Sequence, residues 1–301
     1  MYLTELSQTS YEDLIIDLYT DIGTKNESEG NNMKKLVCMV LAAMMLLSGV
    51  AFAEGKLSIQ GSTSVTPLME KLVAAFPDKS VECEVQGTGS SAGIKAAIEG
   101  TADLGMSSRN LKEAELAELT PIIIAMDGIA VVVNPENSVK SLTKEQVSQV
   151  FKGEIVNWKD LGGEDAPIVL ISREAGSGTR DAFEELMELT TEKDGKKLSL
   201  VDFAYPIVAS GNGEVKQNVA TKKGAIGYLS LGSVDDTLVA AKIDDVEATP
   251  ENIKNNTYAI ARPFIVVTKG APRADVQALI DFILGAEGQQ IVADNHYITM
   301  G

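Results

Sequence analysis

Residues 168–180 read Ile-Val-Leu-Ile-Ser-Arg-Glu-Ala-Gly-Ser-Gly-Thr-Arg, an apolar strand that runs through an arginine into a Gly-Ser-Gly-Thr turn and opens an amphipathic helix. Those residue types in that order can hold an oxyanion. The first N–H groups of a helix lack intrahelical partners, and the macrodipole places partial positive charge beside them. Gly176 and Gly178 let the backbone approach, Ser177 and Thr179 add hydroxyl donors, and Arg173 brings a planar fork suited to two oxygens of one anion. The same residues also read as an ordinary strand-to-helix turn rich in Gly and Ser.

The construction occurs twice more. Leu57–Gln60 alternates like a strand and leads into Gly61-Ser62-Thr63-Ser64-Val65-Thr66-Pro67, with Pro67 suited to the first helical position. Met69, Leu72, Val73 and Phe76 then recur at the spacing of one buried helix face. Val81, Cys83 and Val85 alternate with Glu82 and Glu84, and the loop Gly87–Gly93 opens a helix with the stripe Ile94, Ala97, Ile98 and a stop at Gly100. None of the three loops has the Gly-Lys-Ser/Thr of a Walker A loop or the G-x-G-x-x-G of a dinucleotide site.

The elements around these loops predict an α/β fold with mostly parallel strands. Asp103–Met106, Ile122–Ala125 and Ile129–Val133 read as strands. Thr143 with Gln146 makes a capping-box start, Phe183, Leu186 and Met187 mark a further helix, and Thr190–Lys197 reads as a solvated loop. Trp158 fits either a ligand contact or, more simply, a packing anchor beside a turn.

At the amino end, Met33-Lys34-Lys35, the apolar run Leu36–Val50 and Ala51-Phe52-Ala53 form a signal peptide with an A-x-A cleavage site. Residues 1–32 read as a misassigned leader with Met33 as the true start, and the mature chain is expected to begin at Glu54. Position 50 is valine where a lipoprotein box needs cysteine, so no lipid anchor is expected at that site. The 301-residue chain carries 43 acidic and 26 basic residues, a net charge of −17. Removing the leader, with seven acids and three bases, leaves −13, which argues against nucleic acid and anionic membranes as partners. Any anion must then be captured by local donors against the overall field.

The chemistry available is limited. One histidine, His296, and a single cysteine after cleavage, Cys83, give neither a zinc cluster nor a disulfide, so no metal or cofactor is expected. Ser177 is not a nucleophile elbow, because Ala175 and Thr179 stand where glycines would be required, and no catalytic residue is expected.

The order and spacing of several motifs resemble the periplasmic-type phosphate-binding proteins, the solute receptors of phosphate ABC transporters. They are Gly61–Ser64, Gly87–Gly93, Gly100–Arg109, Phe151–Trp158, Ser172–Arg180 and Gly224–Tyr228, and the resemblance covers nearly the whole mature chain. It implies two α/β lobes joined by two crossover strands, the first near Val131–Asn134 and the return near Ile260–Phe264. Residues 54–133 and 261–301 would then form one lobe and 134–260 the other. It further implies an extracytoplasmic monomer that binds phosphate without chemistry and passes it to a permease.

Carried over by position, the anion contacts fall on Thr63, Ser90, Arg173, Ser177, Gly178 and Thr179, with Ser64 and Ser108 beside them. Many members have an aspartate at position 108, where it accepts the proton of phosphate and rejects sulfate. Here that residue is Ser108, followed by Arg109. Asp127 is the candidate replacement, with a turn-forming aspartate as its alternative reading, and Arg109 reads either as a second cation for the anion or as the partner of a surface acid. A receptor for sulfate, molybdate or tungstate, a secreted phosphoryl-transfer enzyme and a sensory or adhesive module on the same fold are the rival functions.

Overall fold

A computed structural model describes residues 56–300, so the leader, the signal segment and the start at Glu54 lie outside the described residues. The chain opens with β1 (Leu57–Gly61), α1 (Thr66–Ala75), β2 (Cys83–Gly87), α2 (Ser90–Glu99), β3 (Leu104–Ser107), the short α3 (Glu113–Leu116) and β4 (Thr120–Val133). There follow α4 (Lys144–Phe151), β5 (Val169–Arg173), α5 (Gly178–Leu186), β6 (Ile207–Ala209), α6 (Asn212–Thr221), β7 (Ala225–Ser230), β8 (Val239–Ala240) and α7 (Pro250–Lys254). The last elements are β9 (Ala261–Thr268), α8 (Ala274–Leu284) and α9 (Ala286–Asp294).

The main sheet runs in the order β2-β1-β3-β9-β4-β7-β5-β6, with β8 also paired to β4. Strands are parallel within β2-β1-β3 and within β7-β5-β6, as expected. The two connecting strands depart from that expectation: β9 is antiparallel to β3 and β4, and β4 is antiparallel to β7. The stretches read as two separate strands, Ile122–Ala125 and Ile129–Val133, are one continuous β4. Asp127-Gly128 does not turn the chain, because both residues are paired to β9, as Arg262↔Asp127 and Ala261↔Gly128. At Ile129 the strand changes partner to β7.

The sheet thus serves two lobes, each with helices on both faces, which is why inner strands such as β4, β7 and β9 read as apolar runs, whereas β1 and β2 toward one edge alternate. In the first lobe Leu57, Ile59, Leu68, Leu72, Met106, Phe264 and Leu279 pack on one side, while Ile94, Ala97, Ile265 and Val267 pack on the other. In the second, Val131, Phe151, Trp158, Phe183 and Tyr228 face one way and Ala130, Val132, Ile171, Val215 and Leu229 the other. Trp158 is a packing anchor here: it is buried and its Nε1 donates to the Gly224 carbonyl at 2.9 Å.

Thr143 accepts from the Gln146 amide at 3.0 Å and Gln146 answers at 2.9 Å, so the capping box starts α4 as read. The stretch read as a loop is instead a hairpin, Thr190–Lys193 against Lys196–Ser199. Its turn residues Asp194 and Gly195 both take positive φ, 53° and 70°, the type I′ geometry that Asp-Gly favours.

Candidate anion-binding site

Parallel strands end at their carboxyl edge in the loops that start the next helices, and this edge carries every Gly/Ser/Thr loop found in the sequence. From the first lobe come Ser62, Thr63 and Ser64 after β1, Ser90 at the start of α2, and Ser108 just after β3. From the second come Arg173, the last residue of β5, and Ser177, Gly178 and Thr179 at the start of α5. All of these except Thr63, which is half-buried, are buried.

Arg173 is 1% exposed and centres the arrangement. Its Nε and Nη2 donate to Glu174 at 2.7 and 2.8 Å, a second Nη2 hydrogen reaches Thr63 Oγ1 at 2.9 Å, and Nη1 donates to Asn212 Oδ1 at 2.9 Å. The strand beneath it is held by Tyr228, whose hydroxyl bonds Ser172 Oγ at 2.9 Å and accepts from the Arg173 amide at 3.3 Å. Burial pushes the Tyr228 phenol up to about 12, so it stays neutral.

Across the cleft, Ser64 Oγ and Thr179 Oγ1 share a hydrogen bond of 2.8 Å. Ser62 Oγ accepts from the Ser64 and Val65 amides at 3.2 and 3.3 Å and donates its proton to Ser108 Oγ at 2.8 Å. Ser108 Oγ also lies 3.4 Å from Ser90 Oγ, where either hydroxyl can donate, and the Ser108 amide donates to Ser90 Oγ at 3.1 Å. Gly178 sits against this group so closely that a Cβ there would collide with the side chain of Ser90 and crowd Ser108 Oγ. The Gly176 carbonyl accepts from the Ser91 amide at 3.1 Å. Gly176 has φ +87°, a conformation that L side chains rarely adopt.

Thr63, Ser64, Ser90, Ser108, Arg173, Gly178 and Thr179 are thus brought together. Ser177 takes a different place, as the N-cap of α5, where its Oγ accepts from the Arg180 amide at 3.3 Å. Asp127 stands behind the group. It pairs with Arg262, Oδ2 lying 3.0 Å from Nη2, with both side chains 1% exposed, and its surroundings are Ser230 and the Gly232 amide. Burial pushes its carboxyl up, against the pull of Arg262. Its link to the loops is indirect: Arg262 Nη1 donates to the Ser108 carbonyl at 3.3 Å.

Arg109 takes the second of its two readings. It forms a two-pronged pair with Glu115 at 2.8 and 2.9 Å and lies 2.9 Å from Asp181 at the start of α5, so acids of both lobes neutralise it. Arg180 differs from a rim charge: it is 8% exposed, pairs with Glu184 and Asp202 at 2.7 Å each, and donates to the Arg173 carbonyl at 3.1 Å. Arg180→Ala should therefore cost about 1–3 kcal/mol of stability by leaving buried Glu184 short of a partner. It should leave anion affinity within about threefold, since two acids already offset its charge. Melting curves alongside calorimetric titration check both halves.

Asn212, Ser62 and Arg262 escape the motif reading. Asn212 was open to it, because Ile207–Ala209 followed by Ser210-Gly211-Asn212 repeats the strand, Gly/Ser turn, helix pattern a fourth time. Among the described residues no group of three or more His, Cys, Asp or Glu is placed to hold a metal.

A family model described as a PBP superfamily domain matches residues 48–287. The phosphate-binding protein PstS of Bacillus subtilis (strain 168) is 32% identical over 257 residues, which is 82% of each chain. Among solved structures, a putative phosphate ABC transporter substrate-binding protein with bound phosphate from Clostridium perfringens is 45% identical, with a TM-score of 0.76, over 82% of this chain and 100% of that one. An ABC-type phosphate transport receptor from Vibrio cholerae is 35% identical with a TM-score of 0.66, over 81% and 99%.

Proposed function

This chain belongs to the phosphate-binding proteins of the PBP superfamily, the substrate-binding receptors of phosphate ABC transporters, and on that premise we propose that it captures inorganic phosphate between its lobes, outside the cytoplasm, and delivers it to a membrane permease. It is a receptor rather than an enzyme. The observation that carries the reading is the convergence of one buried guanidinium, Arg173, with hydroxyls from both lobes, Thr63, Ser64, Ser90, Ser108 and Thr179, at the amino ends of α2 and α5. Charge-assisted hydrogen bonds contribute about 1.5–3 kcal/mol each, so several together offset the dehydration of a phosphate dianion.

In this reading the first lobe boundary falls at Gly128/Ile129, where β4 changes partner from β9 to β7, a few residues before the 133/134 expected from the sequence, and the second falls at Ile260/Ala261, where β9 begins. Residues 33–53 direct export, no lipid anchor follows, and the receptor works as a monomer. The contacts proposed for phosphate are Thr63, Ser64, Ser90, Ser108, Arg173, Gly178 and Thr179, with Ser177 holding the turn. A sulfate receptor is the second reading, favoured by one observation: a hydroxyl, Ser108, which accepts from Ser62, stands where other members carry an acceptor carboxylate.

Calorimetric titration of the protein with phosphate, sulfate and molybdate in turn tests the proposal. Phosphate should bind with the highest affinity; preference for another oxyanion, or no heat with any of them, overturns it. Small-angle scattering should also show the radius of gyration falling on saturation with phosphate, as hinge closure requires. An unchanged profile would remove the closure while leaving the binding.

A further inference from the structure

The fork of Arg173 is held at both ends, and the residue that holds the end away from Glu174 is Asn212. A guanidinium has five N–H groups. Here Glu174 takes two of them, Thr63 one and Asn212 one, and the remaining Nη1 hydrogen is left uncommitted beside Asn212. Asn212 thereby sets the rotation of the Nη1 end of the fork.

Asn212 also reaches the other lobe. Its Nδ2 donates to Ser64 Oγ at 3.0 Å, and Ser64 shares its hydrogen bond with Thr179. The chain Arg173, Asn212, Ser64, Thr179 therefore passes from the second lobe to the first and back. Few side chains fit such a place. A carboxamide accepts on one side and donates on the other, whereas a carboxylate could satisfy Arg173 but only accept from Ser64. A carboxylate would also set a negative charge beside the anion. Asn212 is 6% exposed, at the first position of the ten-residue α6, and β6 places it level with Arg173 through the pairing Arg173↔Ala209.

We propose that Asn212 is a positioning residue of the phosphate site: it fixes the guanidinium of Arg173 and the hydroxyl of Ser64 in mutual register, and its neutrality keeps that wall free of negative charge. The inference rests on the phosphate reading above.

The test compares wild type, Asn212→Asp and Asn212→Ala by calorimetric titration with inorganic phosphate at about pH 8 and about pH 5, with melting curves for each. Asn212→Asp should bind phosphate at least about 30-fold more weakly than wild type at the higher pH, the scale of like charges brought together in a desolvated site. The deficit should shrink by about threefold at the lower pH, the amount that a 30-fold deficit allows for a carboxyl of ordinary pKa. The bound anion raises the pKa of the introduced carboxyl above its value in the free protein, so binding takes up a proton and acid favours it. Taking the ratio to wild type at each pH removes the titration of phosphate itself. Asn212→Ala should lose about tenfold at both pH values, with a melting temperature close to wild type.

A purely structural asparagine would give the opposite pattern. Melting temperatures would fall, and the two variants would bind alike at both pH values. Phosphate affinity within about threefold of wild type in Asn212→Asp at the higher pH would overturn the inference. Wild type that takes up no phosphate would instead sink the functional reading, so the two failures are distinguishable.

Discussion

Arg173→Ala should weaken phosphate binding by about 3–5 kcal/mol, a loss of two to three orders of magnitude or more in affinity. Arg173 faces a single carboxylate, Glu174, whereas Arg109 and Arg180 each face two, so Arg173 is the cation of the converging group least outweighed by neighbouring acids. Truncation removes both the charge and the fork, and leaves Thr63 and Asn212 without their donor. Arg173→Lys should lie between, because an ammonium keeps the charge but cannot reproduce the planar set of donors that Glu174, Thr63 and Asn212 accept. Titration of the three proteins with phosphate, with Arg180→Ala as the control, measures the order. A larger loss for Arg180→Ala than for Arg173→Ala would mean that the third loop is wrongly read.

Asp127→Asn should cost about 3–5 kcal/mol of stability, because it leaves the Arg262 guanidinium buried with its compensating charge gone. The pair lies on facing positions of β4 and β9, where both strands cross between lobes. Replacing both partners, as in Asp127→Asn with Arg262→Met, should recover most of that loss, since apolar replacement of a whole buried pair is often neutral. The ratio of phosphate to sulfate affinity should stay near its wild-type value in Asp127→Asn, because Oδ2 is committed to Arg262, whose Nη1 in turn reaches the loops through the Ser108 carbonyl, while Oδ1 is buried without a hydrogen-bond partner. Chemical denaturation and competition titration read the two effects separately. A ratio shifted by tenfold or more would return Asp127 to the anion as the acceptor of its proton.

The contrast between these two residues explains what was legible in the sequence. Arg173, Ser177, Gly178 and Thr179 are set by local chemistry, a strand end, a turn and a helix start within a few residues, and such features survive in a linear reading. The register of Asp127 with Arg262 does not, because the pair is separated by more than a hundred positions and forms only once β9 lies beside β4. The neighbours of Arg109 were open for the same reason: Glu115 is close in sequence, but Asp181 arrives from the other lobe. The apolar run 120–133 reads as two strands because Asp-Gly ordinarily turns a chain, and here a cross-strand arginine holds it extended. Asp194-Gly195 was the converse, a turn signal absorbed into a run of charge.

The place of β9 in the sheet has a consequence for how the protein is made. It lies between β3 and β4, and its residues from Arg262 to Thr268 are buried, yet it follows the whole second lobe in the chain. Residues 129–260 can collapse on contacts within their own span, while β3 and the first part of β4 wait for a strand translated long after them. The first lobe therefore matures last, although its sequence emerges first. Until then β3 has only β1 beside it and the first part of β4 has no neighbour on that side, and closing so long a loop is slow. The order of strands in the sheet therefore makes completion of the first lobe depend on residues 261–268, so a chain cut before β9 would keep the second lobe's strand pairings and lose the strand that joins β3 to β4.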